Sequence, residues 1–483
     1  MRRLLALLAL LAASLAFASC GPSGRTYGDA GKASSTSLQE LWFADGAWKL
    51  CLAPDCPVAQ SGSGAAALTY DAYFAWRPKD SGDSSYGPLM AKIAATIPPF
   101  TRPCVNATCH TLSTVAMADA VALLRTYDPN ETDRSGLAKV TGALDALDRS
   151  KAYFRGACPE IPYAEPFGGK SMLKALATDS NYAKAAVSVA HYTLDTSYLD
   201  RGERRYLLAR KFFFDPKAGL YTAYVLDDGK QCRQVPAQFQ AGVNGDMIYV
   251  AYVLFVASRG AAYQTQATSV AQAVATKLSD ARGILANLED EHDSAEPLFE
   301  AFYVLAKYWN QDFALDFVTR NAAAVEGART QTGSLGRFFD GPPPEDGVTA
   351  WQTSGGFAAT MAAQALQPGD VLPSPGPGWT NARFTALGPQ KMPQVIRFNG
   401  SGIALRGTLG DRCCPAGARV FVDGVETFDR TGIRQSYSPA GKIPNSVLFA
   451  WQWPRPGKHE IRLEAKTPAD AERAVHLSGY EVK

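Results

Sequence analysis

The chain has 483 residues, too many for one ordinary domain, so a large domain of roughly 300 residues and a second module of about 100 are expected. Hydrophobic residues make up 46% and charged residues 19%, a globular balance that excludes a long disordered tail. The formal charge is +2, and setting aside Arg2 and Arg3, which lie in a segment expected to be removed, leaves 46 basic against 46 acidic side chains. A neutral chain without a basic stripe lacks the phosphate contacts that nucleic-acid binding requires, so that class of partner is excluded.

Arg2 and Arg3 precede an apolar run from Leu4 to Ala18, too short to span a bilayer and charged at its start like an export signal. The run ends Phe17-Ala18-Ser19-Cys20, which resembles a bacterial lipobox. The resemblance implies lipidation at Cys20, a membrane anchor and a place in the cell envelope; the alternative is an ordinary signal peptide with an incidental cysteine. Residues 21–37, rich in Gly and Ser, are expected to be a flexible tether. Eight of the nine cysteines then remain, and in an oxidising compartment disulfides are the default. Spacing suggests Cys51 with Cys56, Cys104 with Cys109, and Cys158 with Cys232, leaving the adjacent Cys413 and Cys414 for a strained bridge or none. A zinc site at Cys104, Cys109 and His110 lacks the usual ligand spacing, so no metal and no other cofactor is expected.

Residues 38–366 carry paired helical patterns. Met117 to Asp148, Asn181 to Asp215, Met247 to Asp280 and Glu296 to Val325 each read as an apolar helix, a short polar turn and a second, Ala-rich helix. Further pattern at Tyr86 to Ile97 and Trp351 to Leu366 brings the total to about six pairs, which stack into a solenoid or close into an (α/α)6 toroid. Uneven spacing and long inserts at Phe154 to Lys170 and Asp215 to Gln238 favour the toroid, with irregular loops gathered at one end. Within the second insert, Leu220 to Leu226 followed by Asp227-Asp228-Gly229 reads as a β-hairpin.

These helix pairs, Gly168-Gly169 after an aromatic loop, the hairpin, and Gln240-Ala241-Gly242-Val243-Asn244-Gly245 opening an apolar helix resemble the bacterial α-1,6-mannanases of glycoside hydrolase family 76, over about Ser85 to Leu366. The resemblance implies an (α/α)6 fold and cleavage of α-linked mannan. That family carries an adjacent Asp-Asp pair ahead of a helix containing Arg-x-Tyr. Counted back from Arg125-Thr126-Tyr127, the matching place holds about Thr114-Val115, and the nearest carboxylate, Asp119, stands a turn later.

A glycosidase needs one protonated and one ionised carboxyl group on either side of the scissile bond. Candidates here are Glu160, in an insert with Tyr163 and Phe167 as sugar platforms; Asp179, at a helix start; Asp246 beside Asn244, near an apolar helix; and Glu291, in the acidic run Glu289 to Asp293. Each has a plainer reading: a solvated loop acid, an N-cap, a structural hydrogen-bonded pair, and acids favouring a helix N-terminus, respectively. Trp351 and Gln352 stand at another helix start, where Trp351 serves either as a sugar platform or as core.

Residues 367–380 read as a Pro/Gly linker, and residues 381–483 as an all-β module with strands near Val395 to Phe398, Ile403 to Leu409, Ala418 to Val422, Ser446 to Trp453 and Glu460 to Glu464. Phe398 to Ile403, Gly417 to Gly424 and Pro456 to Ile461 resemble the β-sandwich modules appended to secreted glycan-active proteins. The expected fold class is thus mainly α, an (α/α)6 toroid followed by a small β-sandwich. The expected function is hydrolysis of a poly- or oligosaccharide by an exported lipoprotein, with glycan binding on a degenerate hydrolase scaffold as the alternative and a lyase reading third.

Overall fold

A computed structural model describes residues 24–44, 46–52, 56, 58–59, 67–69, 117–124, 135–149, 156–160, 165–166, 171–236, 238–286, 295–336, 338–339, 341–343, 349–373, 378–387, 392–409, 417–427, 433–434, 443–465 and 477–483. Cys20, Cys104, Cys109, Cys413, Cys414, Tyr163, Phe167, Glu291 and the Thr114-Val115 pair lie outside the described residues, as do the side chains of Trp351 and Gln352.

The helical part holds α1 (Tyr27–Ser37), α2 (Ser135–Arg149), α3 (Leu176–Thr193), α4 (Thr196–Phe213), α5 (Ala241–Val256), α6 (Ala261–Lys277), α7 (Glu296–Trp309), α8 (Asp312–Gly327) and α9 (Ala350–Leu366). They form two layers. Helices α3, α5, α7 and α9 bury most of their residues, whereas α4, α6 and α8 bury one face and wet the other. This follows from composition: α5 is apolar all round, as a helix covered on every side must be, while α4 carries Arg and Lys on its outer face. The chain alternates between the layers, so the expected helix pairs are present, with turns at Leu194, Gly260 and Asn310.

The expected tether is corrected: residues 27–37 form helix α1. Thr26 caps it, its hydroxyl accepting from the Asp29 amide while the Asp29 carboxylate takes the Thr26 N–H, a reciprocal capping box. Residues flanking the last buried helix hold α1 in place. Tyr27 N–H donates to Asp370, Gly28 N–H to Pro368 and Leu372 N–H to Arg25. The start of the supposed 367–380 linker is therefore tied to the beginning of the described chain.

Short strands decorate the helices. β1 (Phe43–Ala44), β2 (Ala47–Lys49) and β3 (Val58–Ala59) form one sheet, beside a Cys51–Cys56 disulfide. β4 (Glu165–Pro166), β5 (Met172–Ala175), β8 (Tyr224–Asp227) and β9 (Cys232–Gln234) form another, in that order, and β6 (Phe214–Asp215) pairs with β7 (Leu220–Tyr221). The expected hairpin is β8–β9. Its tip bonds to the 156–160 loop through Cys158–Cys232.

The C-terminal module is an antiparallel sheet of seven strands: β10 (Arg383–Ala386), β11 (Gln394–Leu409), β12 (Gly417–Val422), β13 (Val425–Glu426), β14 (Ile433–Arg434), β15 (Ile443–Ala465) and β16 (Leu477–Val482). The five expected short strands fall inside three elements, because β11 and β15 each run through two of them, paired along their length with register shifts near Gly400 to Gly402. In place of two separately bonded sheets, the described strands share one hydrogen-bonded order. Ile396, Ile403, Leu405, Leu448, Ile461 and Leu463, from both halves of the long strands, pack into one apolar cluster.

The buried layer is tight enough to forbid a methyl group at Gly245. A Cβ there would sit 2.5 Å from the Leu298 Cα and 2.6 Å from the Pro297 carbonyl carbon, backbone atoms of the neighbouring helix α7 that have no way to swing aside. Gly245→Ala is expected to push α5 from α7 at a cost of about 1–3 kcal/mol. Urea unfolding should show a lowered midpoint with the slope unchanged.

Candidate functional site

The first three turns of the buried helices put polar side chains where apolar ones would be expected. Ser180 and Lys184 come from α3, Asp246 from α5, Glu296 and Glu300 from α7, Thr353 and Ser354 from α9, all of them buried. The Lys184 ammonium lies 2.9 Å from Asp246 Oδ1 and 2.8 Å from Glu300 Oε2, and 5.0 Å from the centre of the Tyr249 ring. Ser180 donates to Asp246 Oδ2 at 3.0 Å and Ser354 to Glu296 Oε2 at 3.1 Å. An ammonium out of water is tolerable only when paired, and here two carboxylates share one. Burial raises the Asp246 carboxyl, against the pull of Lys184 and Ser180, and the Glu300 charge raises it further.

A second network lies beside the first. Arg205 of α4 reaches Asp179 Oδ1 at 3.3 Å, Asp148 Oδ1 at 3.2 Å and the Glu160 carbonyl at 2.6 Å. Asp148 also accepts from the Tyr182 hydroxyl at 2.7 Å and from Arg201. Helix α3 starts at Leu176 with Ala175 as its cap, so Asp179 lies inside the first turn and does not cap the helix. It is fully buried, and burial pushes its carboxyl up to about 7 although Arg205 and Lys174 pull the other way. Its Oδ2 has no hydrogen-bond partner.

A third cluster locks the overlying loop. Burial would raise Asp227, but the Cys158, Ala157 and Gly229 amides and the Lys174 ammonium at 2.9 Å hold it down to about 2.

The sequence candidates divide among these clusters. Asp179 and the Glu160 backbone meet at Arg205, while the Glu160 carboxylate is partly exposed and paired with Arg204. Asp246 belongs to the Lys184 cluster. Asn244 spends its amide on structure: Oδ1 accepts the Tyr221 N–H at 2.9 Å, and Nδ2 donates to the Tyr221 and Gln240 carbonyls. Sequence reasoning missed Lys184 and Glu300. Their signal was present, a lone Lys between Tyr182-Ala183 and Ala185-Ala186-Val187, and a lone Glu between Leu298-Phe299 and Ala301-Phe302.

Buried polar atoms with no partner mark where a fold leaves hydrogen-bonding capacity for something else. Asp179 Oδ2, Gln240 Nε2 and Thr353 Oγ1 are of this kind. They stand in the first turn of α3, at the N-cap of α5 and in the first turn of α9.

Comparison with solved structures finds the same fold in glycoside hydrolases of family 76. A variant of a Salegentibacter α-1,6-mannanase inactivated at two adjacent aspartates, in complex with α-1,6-mannotriose, is 16% identical, with a TM-score of 0.58 over 71% of this chain and 100% of its own. A family 76 mannosidase from Bacteroides thetaiotaomicron is 13% identical, with a TM-score of 0.57 over 70% and 98%. A cellobiose 2-epimerase from Bacillus thermoamylovorans is 11% identical, with a TM-score of 0.53 over 70% and 98%. At these identities the likeness is one of fold. No protein-family model matches the chain, and neither does any curated protein.

Two outcomes follow from the charge arrangement. Lys184→Met leaves two buried carboxylates facing each other and is expected to cost about 3–5 kcal/mol. Asp246→Asn should cost far less, because a neutral Lys184–Glu300 pair remains; denaturant melts of both variants check the order. For Asp179, the folded chain keeps a proton that the unfolded chain loses above the ordinary value of 3.8, so its contribution to stability falls as pH rises towards about 7 and is flat beyond. Asp179→Asn removes that dependence. The stability difference between variant and parent should shift in favour of the variant from about pH 4 to about pH 7, as thermal melts across that range would record.

Proposed function

We propose that the chain is a carbohydrate-active protein built on an (α/α)6 toroid, and that it takes an α-mannan-type oligosaccharide where the buried helices begin. The unpartnered Asp179 Oδ2, Gln240 Nε2 and Thr353 Oγ1 carry this reading: a sugar presents hydroxyl groups that donate and accept, which suits one carboxyl, one amide and one hydroxyl left without partners. Each of the toroid's inner helices would contribute its first turn to the floor of the cleft. The solved relatives include one holding α-1,6-mannotriose, which makes that linkage the first to try.

Hydrolysis requires an acid held protonated near neutral pH and an ionised partner. Asp179, pushed up to about 7 with one oxygen uncommitted, suits the acid, and Glu291 in the acidic run before α7 supplies the partner. Asp246 is assigned a positioning role, since Lys184 and Ser180 already claim both of its oxygens. We further propose that Cys20 carries a lipid that anchors the chain to the cell envelope, with the C-terminal sheet bracing the helical part as a β-sandwich.

The sequence favours a second reading, glycan binding without turnover: counted back from Arg125-Thr126-Tyr127, the place of the family's acid pair falls at about Thr114-Val115, and neither side chain transfers protons at neutral pH. Incubating the protein lacking residues 1–20 with α-1,6-mannotetraose decides between them. Hydrolysis predicts new reducing ends, lost in Asp179→Asn and in Glu291→Gln. Calorimetric binding with no product establishes the second reading. Neither binding nor product with α-1,6-mannan fragments overturns both.

A further inference from the structure

Helices α3, α5 and α7 meet at one height through Lys184, Asp246 and Glu300, and run parallel from it, so that Tyr252 of α5 lies beside Trp309 of α7. Leu194 and Val256 lie ten residues beyond Lys184 and Asp246, and Tyr308 eight beyond Glu300. At about 1.5 Å per residue, all three stand roughly 12–15 Å past that height, at the end away from the first turns. Ser354 ties α9 to Glu296, the first residue of α7, and α9 ends at Leu366 on the same side.

This end is apolar and bare. Leu194 is 86% exposed, Val256 60%, Tyr308 50% and, just past α9, Val371 47%. Among the described residues of the helical part, only Leu207, midway along α4, is a further large apolar side chain left so open. Single apolar residues are ordinary on a surface, but four of these five share one end. Behind them Tyr252 stacks on Tyr308 with ring centres 6.2 Å apart, and Phe255 meets Trp309 at 5.3 Å.

The beginning of the described chain arrives here too. Helix α1 runs against α9, its Ser34 hydroxyl 2.6 Å from that of Thr360 and its Gly28 N–H donating to Pro368. Thr26 bridges to Val371, and a Cβ at Gly24 would lie 2.9 Å from the Val371 side chain. Cys20 precedes Gly24 by four residues, a reach of at most about 14 Å. The C-terminal sheet sits elsewhere. Phe338, beyond the end of α8, packs with Ala404 and Ala450, and Leu335 lies against Gly356 early in α9, near the first turns.

We propose that the end carrying Leu194, Val256, Tyr308 and Val371 rests on the lipid bilayer that holds the anchor, with the first-turn site facing away from it. The inference rests on the lipid proposed above at Cys20. Tyrosine and tryptophan suit the headgroup layer, where an apolar ring enters lipid and its polar edge stays wet. A short tether keeps the local concentration of bilayer high, so a small apolar area is enough to dock. Charge at this end does not call for anionic lipid: Arg259 pairs with Asp200 and Glu203, and Asp195 accepts the Ser197 N–H at the start of α4. The partner is therefore a zwitterionic surface.

Hydrogen exchange tests this on the chain from Gly21 onward, with a polyhistidine tag ahead of it standing in for the lipid. Exchange is compared with and without phosphatidylcholine vesicles that carry a nickel-chelating lipid. Amides of residues 191–196, 254–259, 306–311 and 369–373 should exchange at least about threefold more slowly on vesicles, and those of 178–184 at an unchanged rate. Combining Leu194→Ser, Val256→Ser and Tyr308→Ser should abolish the protection while the tag still holds a folded chain on the vesicles. The inference falls if the four segments exchange alike in both states, if the triple variant stays protected, or if the first turns are protected instead. It also falls if raising the protein concentration without vesicles protects the same segments, which would make the face a contact between copies. Mass spectrometry of Cys20 from the bacterial envelope keeps the two readings apart. An unmodified Cys20 overturns the anchor and the docking with it, whereas a lipidated Cys20 with unprotected segments overturns the docking alone.

Discussion

Lys184 sets the constraint around which the buried helix layer is arranged. A helix surrounded by others has no wet face for a charge, so an ammonium there must find its counter-ions on neighbouring helices. Asp246 on α5 and Glu300 on α7 supply them, and each fixes a register: the ninth residue of α3 has to stand level with the sixth of α5 and the fifth of α7. Apolar packing alone allows helices such as α5 to rotate or slide at modest cost, since every face is greasy. A shared charge does not allow it. Gly245, pressed against the α7 backbone one residue before Asp246, makes the same contact short enough for the ion pairs to form.

Much of this arrangement was legible in the sequence. The helix pairs from Asn181 onward, the break at Arg259-Gly260, the start of α7 at Glu296-Pro297 and the β8–β9 hairpin follow from hydrophobic period and turn residues, which act locally. What escaped was decided over longer distances or by a signal given too little weight. Thr26-Tyr27-Gly28-Asp29 is a capping-box pattern, but the Gly and Ser around it suggested a tether; burial against α9 made a helix of a segment whose own propensity is weak. The sheet shows the same limit. Each short strand was recognisable from its alternation, yet nothing local says that β11 continues from Val395 to Leu409, because continuity across Gly400 and Gly402 depends on pairing with β15.

The candidate site was half legible for the same reason. A polar group in an apolar helix announces that it has a partner without saying what the partner is. Asn244 and Asp246, two residues apart, looked like one unit, but a helix turns them to different sides: Asn244 holds the Tyr221 backbone and Asp246 meets Lys184. Asp179 looked like a cap because it stands near a helix start. The actual cap is Ala175, four residues earlier, since β5 pairs with β8 up to Ala175↔Tyr224 and the helix begins as soon as that ladder ends.

Charge balance explains why the two acids sit differently in their networks. In the Lys184 cluster two carboxylates face one ammonium: burial raises Asp246, Lys184 and Ser180 pull it back, and the Glu300 charge returns a smaller part of the rise. In the Arg205 cluster the guanidinium divides its donors among Asp148, Asp179 and the Glu160 carbonyl, so Asp179 is left with one long contact and one uncommitted oxygen. A carboxyl so placed is not needed to hold the helices together, because Asp148 and Tyr182 already anchor Arg205 and Arg201. The fold keeps the cost of burying Asp179 without a full set of partners, and a cost kept without structural return is what a group aimed at a ligand would show. That asymmetry, more than the overall likeness to sugar-cleaving folds, separates Asp179 from the other buried acids of the layer.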